Sequence, residues 1–241
     1  MAKNYGKNIG TAENLDKEPG EPSPDKLHAE DSKPIESAGA GTVKAEAPSV
    51  EPAKVEESLD ARVARYVVEA ASTEGDKSDD VLYFGLCGEA GEMLDYAKKC
   101  LGHGKPYSRE LMVKEIGDYA WYCAALQRKY GRKNVSIEPF MIVGNLAETA
   151  VALMQQTAGF SPTFMSYDHG MAVTERLSRC FSLAVMFLGE MEIKFNGREG
   201  ISKALFEADI KEILDSNAAK LATRYPGGFS AQGSAERKDL T

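Results

Sequence analysis

The sequence predicts an all-α fold, and three observations carry that expectation. Apolar residues recur at helical spacing, first at Leu59, Val63, Tyr66, Val67 and Ala70. Glycine and proline fall at the ends of long segments, at Gly102, Gly104, Pro106, Gly131 and Pro226-Gly227-Gly228, rather than every few residues. Alternating β-branched and aromatic runs are scarce throughout. A first helix is expected over about 58–72, followed by a polar break from Thr73 to Asp80. A second runs over about 80–101 and stops at Gly102 and Gly104. A third begins after Pro106, with Ser108 as candidate N-cap, and ends near Gly131. Residues 137–157 and 171–195 read as two more helices, and a last one over about 201–225 ends at the Pro-Gly-Gly.

The organisation changes near residue 57. Residues 1–56 hold six of the ten prolines (Pro19, Pro22, Pro24, Pro34, Pro48, Pro52) and few large apolar side chains. Such a segment cannot bury enough surface to offset its ordering entropy and is expected to be a disordered tail. Residues 57–241 then form the helical domain. The chain is 43% hydrophobic with a formal net charge of −8. A field of that sign argues against a nucleic-acid polymer as partner, but not against a single nucleotide, whose phosphates a metal can neutralise. No N-terminal apolar run suggests a signal peptide, and none approaches the roughly 18 residues of a membrane span. Cys87, Cys100, Cys123 and Cys180 form no CxxC pair and no Cys/His metal pattern. They read as buried free thiols in a reducing, cytoplasmic compartment.

The chemistry concentrates in the second and third helices. Glu89 and Glu92 are i and i+3 on one helix, and Glu115 and Asp118 repeat that spacing on the next. Packed antiparallel, the two helices can bring four carboxylates together. Like charges at short range repel, so such a group calls for a hard divalent cation. Mg²⁺ is the expected ion, with Mn²⁺ as alternative; no Cys or His accompanies the acids to favour a softer metal. Gly85, Gly88 and Gly91 on one helix and Gly117 on the other each cost about 1 kcal/mol relative to Ala. Close helix approach is the compensating gain expected of them.

These residues carry a resemblance. The stretch GLCGEAGEMLDYAKK followed by KEIGDYAWYCAAL resembles the MazG-like family of all-α nucleotide pyrophosphohydrolases, which bears an ExxE pair, a spacer and an ExxD pair. The resemblance resumes at NAAKLATRYPGGF, covering about 58–132 and 205–237 in all. It implies a MazG-like helical bundle in which Glu89, Glu92, Glu115 and Asp118 bind Mg²⁺. It also implies cleavage of a nucleoside triphosphate to the monophosphate and pyrophosphate, with one carboxylate, Glu89 for instance, accepting the proton of the attacking water.

Candidate substrate contacts follow from spacing. Lys99 continues the Glu89, Glu92, Tyr96 face, with Lys98 as its neighbour. Asn217, Lys220 and Arg224 share one face of the last helix and suit phosphate. The resemblance places the first two near the nucleotide, and Arg224, Tyr225 and Arg237 are weaker candidates. Trp121, the sole tryptophan, either stacks on a base or packs in the core, and Tyr66 and Tyr122 pose the same choice. His103, in a Gly-His-Gly turn, reads as turn chemistry.

The chain departs from the family in residues 133–204, which stand between the third helix and the Asn/Lys helix. This insert reads either as an unrelated helical hairpin or as a degenerate second copy of the core. In the second reading Glu148 echoes Glu89, Glu175 echoes Glu115, Val151 replaces Glu92 and Ser178 replaces Asp118. Such a copy would hold no metal and would form an internal pseudo-dimer in place of a homo-oligomer. Three alternatives to the general triphosphate hydrolase stand beside it: a hydrolase of dUTP, dCTP or guanosine tetraphosphate; a non-catalytic nucleotide sensor; and a helical interaction module.

Overall fold

Serine hydroxyls set most of the helix starts. Ser58, Ser78, Ser108 and Ser202 each hold extended backbone and accept a hydrogen bond from the amide three residues on, at Ala61, Val81, Leu111 and Leu205. Asn145 does the same in a full capping box, with the Glu148 carboxylate accepting from the Asn145 amide at 3.1 Å. The resulting elements of the computed structural model are α1 (Leu59–Ala71), α2 (Asp79–Gly102), α3 (Arg109–Tyr130), α4 (Leu146–Ala158), α5 (Gly170–Asn196) and α6 (Lys203–Arg224). The structure describes residues 57–131, 137, 145–160, 170–230 and 232, all within one packed unit spanning Lys54–Thr241. The expected tail, Arg237 and residues 138–144 of the expected 137–157 helix lie outside the described residues. Among the described residues all regular secondary structure is helical, as expected, and no helix is long and apolar enough to cross a membrane.

Helix α3 is the hub. It packs against α1, α2, α5 and α6, while α4 packs on α2 and α5. Met112, Ile116, Tyr119 and Leu126 of α3 are fully buried, as are Leu82, Leu86 and Met93 of α2 and Leu183 and Leu188 of α5. Polar ties fix the neighbours. The Tyr119 hydroxyl bonds Thr157 Oγ1 of α4 at 2.8 Å, and Gln127 Nε2 donates to Thr174 Oγ1 of α5 at 3.1 Å. Buried Arg62 of α1 donates to Asp215 of α6 at 2.6 Å. At the α2–α3 turn the Tyr96 hydroxyl accepts from the Ser108 amide at 2.7 Å and donates to the Ser108 carbonyl at 3.2 Å. That clasp sets the register of the hairpin that carries both carboxylate pairs.

Only part of the glycine pattern serves close approach. A Cβ on Gly85 would stand 2.0 Å from the Tyr122 ring, and one on Gly117 would stand 3.0 Å from Asn217 Cβ of α6. Gly88 and Gly91 face open space, contrary to the expectation that all four glycines bring helices together. The two classes predict opposite results. Gly117→Ala pushes against an atom next to the α6 backbone and should destabilise by about 1–3 kcal/mol. Gly88→Ala adds only helix propensity and should stabilise by about 0.5–1 kcal/mol. Urea unfolding of both variants checks the pair.

Candidate metal centre and cleft

Three of the four predicted acids converge. Glu89 and Glu92 of α2 and Glu115 of α3 present carboxylate oxygens within 4.8 Å of one another. The i,i+3 spacing puts Glu89 and Glu92 on one face of α2, and the Tyr96–Ser108 clasp holds Glu115 opposite them. Asp118 takes a different arrangement. Lys220 Nζ donates to both of its carboxylate oxygens, and Asn217 Nδ2 donates to Oδ1 at 3.1 Å. Asn217 is buried and is itself held by the Tyr66 hydroxyl, which donates to its Oδ1 at 2.7 Å. The i,i+3 pair on α6 thus meets the acidic hairpin through Asp118, and Tyr66 acts in this relay from α1.

The electrostatics reflect crowding in a half-buried place. Burial, followed by the charges of Asp118, Glu92 and Glu115, pushes Glu89 up to about 8. Burial, then Asp118 and Glu92, also raises Glu115. Burial, and next the Glu89 carboxylate, raises the Tyr122 hydroxyl.

A cleft of about 350 Å³ opens on this group, within the usual size of small-molecule sites. Glu89, Glu92 and Asp118 line one part of it; Trp121, Tyr122, Tyr225 and Phe229 supply aromatic surface; Lys77 and Arg224 supply positive charge. Trp121 is nearly buried and at the same time borders the cleft. Its indole N–H donates to Thr73 Oγ1 at 2.9 Å, and its ring meets Tyr122 edge-on at 4.9 Å between centroids. The Arg224 guanidinium lies 5.9 Å from the Tyr225 ring centroid. Lys99 is not part of the cleft lining; it pairs with Asp95 on the surface. Seven residues beyond Glu92, it stands about 10 Å farther along the helix axis. Lys98 likewise pairs with Asp95.

Two contributors escaped the sequence reading. Lys77 lies in the polar break between α1 and α2, where no periodicity marks a side chain as inward-facing. Its ammonium sits 4.3 Å from the Phe229 ring centroid and 5.1 Å from that of Trp121, and donates to the Glu74 carbonyl. Phe229 follows the Pro-Gly-Gly turn, and its amide donates to the Ser72 carbonyl at 3.1 Å. Its ring lies against Gly75, whose φ of +64° and lack of Cβ make room for it. A usable signal was present in hindsight: a glycine at each end of this contact.

The raised Glu89 predicts a pH dependence. Its ordinary value is 4.5, so between about 4.5 and about 8 the folded, cation-free protein holds a proton that the unfolded chain has lost. Stability should therefore fall as pH rises through that window, with Glu115 acting in the same direction. Thermal unfolding in chelator should show the midpoint falling between about pH 5 and about pH 8.5, each kcal/mol moving it by roughly 2–4 °C. Glu89→Gln should flatten the slope and be the more stable protein at the alkaline end. A wild-type midpoint that is level or rising across this range would contradict the assignment.

No protein-family model matches this chain, and comparison with curated proteins and with solved structures finds no match to it.

Proposed function

We propose that this protein is a divalent-cation-dependent nucleotide pyrophosphohydrolase of the MazG-like kind, cleaving a nucleoside triphosphate to the monophosphate and pyrophosphate. The observation that carries the reading is the meeting, on one cleft, of Glu89 and Glu92 of the acidic triad, Asp118, basic side chains and aromatic surface. A nucleotide needs all three: a cation for its phosphates, donors for the oxygens left over, and a flat apolar wall for its base.

The donor set fits a hard cation. Three carboxylates within 4.8 Å offer oxygen only, which suits Mg²⁺ or Mn²⁺. Glu89, Glu92 and Glu115 would hold the ion, which when bound supplies charge neutralisation and polarises a phosphoryl oxygen. Asp118 stands beside the triad, kept in place by Lys220 and Asn217. It is the carboxylate best positioned to orient the attacking water and accept its proton. The Lys220 ammonium has three N–H donors and uses two on Asp118, leaving one for a phosphate oxygen. Arg224, on the cleft wall, adds a planar donor suited to phosphate.

Two finer readings accompany this one. We read α4 and α5 as a degenerate copy of α2 and α3. Support comes from the packing, in which α2 meets α3, α4 meets α5, α2 meets α4 and α3 meets α5, as two related hairpins would. Val113 and Val173 are both buried, as are Trp121 and Phe181. In this copy Glu148 caps its own helix and Val151 is exposed, so the echo carries no acidic cluster. We also infer a reducing compartment such as the cytoplasm, on the support of four free thiols, three of them buried.

Pyrophosphate release from a panel of common ribo- and deoxyribonucleoside triphosphates tests the main reading. Release should require Mg²⁺ or Mn²⁺ and stop with chelator. Glu92→Gln should lower kcat/KM by more than about 100-fold, beyond the 10–100-fold that loss of an outer-shell partner costs at a metal site. It should also abolish the rise in thermal midpoint that the metal ion gives the wild type. Metal-independent release, or full activity in Glu92→Gln, would sink the proposal.

A further inference from the structure

The aromatic end of the cleft has a distinct polar character. Trp121 and Phe229 wall it, and the Lys77 ammonium lies over both rings, so a base entering here meets that ammonium rather than a bare ring face. The Trp121 N–H is held by Thr73, and the Thr73 hydroxyl donates in turn to the Ala70 carbonyl at 2.9 Å. The charged donor beside the rings is the Lys77 ammonium, at 4.3 Å and 5.1 Å from the two centroids, with Tyr225 on the same wall 5.6 Å from the Phe229 ring. One of its three N–H groups is given to the Glu74 carbonyl. It is held there from below by a rigid loop. The buried Glu74 carboxylate accepts from Arg128 Nε of α3 at 2.8 Å, and the Phe229 ring packs on Gly75. The ammonium is therefore a held donor that a base entering this end of the cleft must meet.

Resting on the nucleotide reading above, we infer that Lys77 is a specificity-determining residue that selects nucleotides whose base carries a carbonyl oxygen, O4 or O6, where cytosine and adenine carry an amino group. An ammonium donates and cannot accept. Guanine offers O6 beside N7, and thymine and uracil offer O4, so each can receive its N–H groups. Cytosine and adenine present exocyclic amino groups at the corresponding positions, and these would set donor against donor in a partly dry cleft. Adenine keeps N7, but with the N6 amino group adjacent. Lys77 is half-buried, which also lowers its pKa, and a hydrogen bond to it there counts for more than in open water. The bound nucleotide would lie with its phosphates at the acidic triad and its base beside the Lys77 ammonium that covers Trp121 and Phe229.

The test compares turnover and binding in the full-length protein. kcat/KM for dUTP, dTTP and dGTP should exceed that for dCTP and dATP by about tenfold or more, the scale of one charge-assisted hydrogen bond. Lys77→Met should bring the ratio close to one, and Lys77→Arg, which keeps donors, should retain a preference. The same comparison is made without catalysis by titrating dTMP and dCMP against the fluorescence of Trp121, the only tryptophan. Wild type should bind dTMP more tightly and Lys77→Met should not discriminate. An amino-base preference, or an equal loss on every base in Lys77→Met, would overturn the inference and move Lys77 to the triphosphate. Absence of turnover with every nucleotide would end the hydrolase reading instead, while equal dTMP and dCMP binding to wild type would end this one.

Discussion

Three ionised carboxylates with oxygens inside 4.8 Å push one another apart, and the fold has to hold them there. At an effective dielectric near 20, each pair at that distance repels by about 3 kcal/mol. Packing must supply the counterforce. Helix α3, gripped by α1, α2, α5 and α6, cannot move Glu115 away from α2 without opening the core around Ile116 and Tyr119. The Tyr96–Ser108 clasp prevents the hairpin from sliding. Part of the repulsion is relieved chemically, since burial and the neighbouring carboxylates raise the Glu89 pKa and favour a proton there.

The same constraint explains why α6 matters although its acids and bases lie far away in sequence. Asp118 would add a fourth negative charge to the group. Lys220 neutralises it, and the Tyr66–Asn217 relay fixes its direction. Gly117 is what lets α6 approach closely enough for this. Helix α1 is in turn tied to α6 through Arg62 and Asp215. The site therefore draws on three separate chain segments, and loosening any one of them alters the charge balance of the others. The aromatic end is built differently. It hangs on the α1–α2 loop and the turn after α6, joined by the Phe229–Ser72 hydrogen bond, while the Glu74–Arg128 ion pair ties the loop to α3.

Much of this was legible beforehand where a local rule applies. All six helices were expected, five with ends within about two residues, because caps and glycine stops act over three or four positions. The exception is α4, which begins at Leu146 rather than near 137, since Asn145 and Glu148 form a capping box that the periodicity reading passed over. Glu89, Glu92 and Glu115 meet as their spacing suggested. Asn217 and Lys220 also reach the acidic hairpin. The face argument failed at Lys99, because helical phase repeats along the axis while a site occupies only one level of it. It failed again at Gly88 and Gly91, whose spacing matches Gly85 but whose side of the helix has no neighbour.

By itself, then, the sequence determined the helical class, most of the helix boundaries and the two i,i+3 carboxylate pairs. Each of these follows from interactions reaching no more than one turn along the chain. Tertiary structure alone decided that Asp118 is paired with Lys220 while three glutamates cluster, and that Lys77 and Phe229 share a cleft with Trp121. Those outcomes join residues separated by about a hundred positions or more, or by irregular backbone. No periodicity encodes them; they depend on which helix faces pack and on where the loops between them are obliged to run.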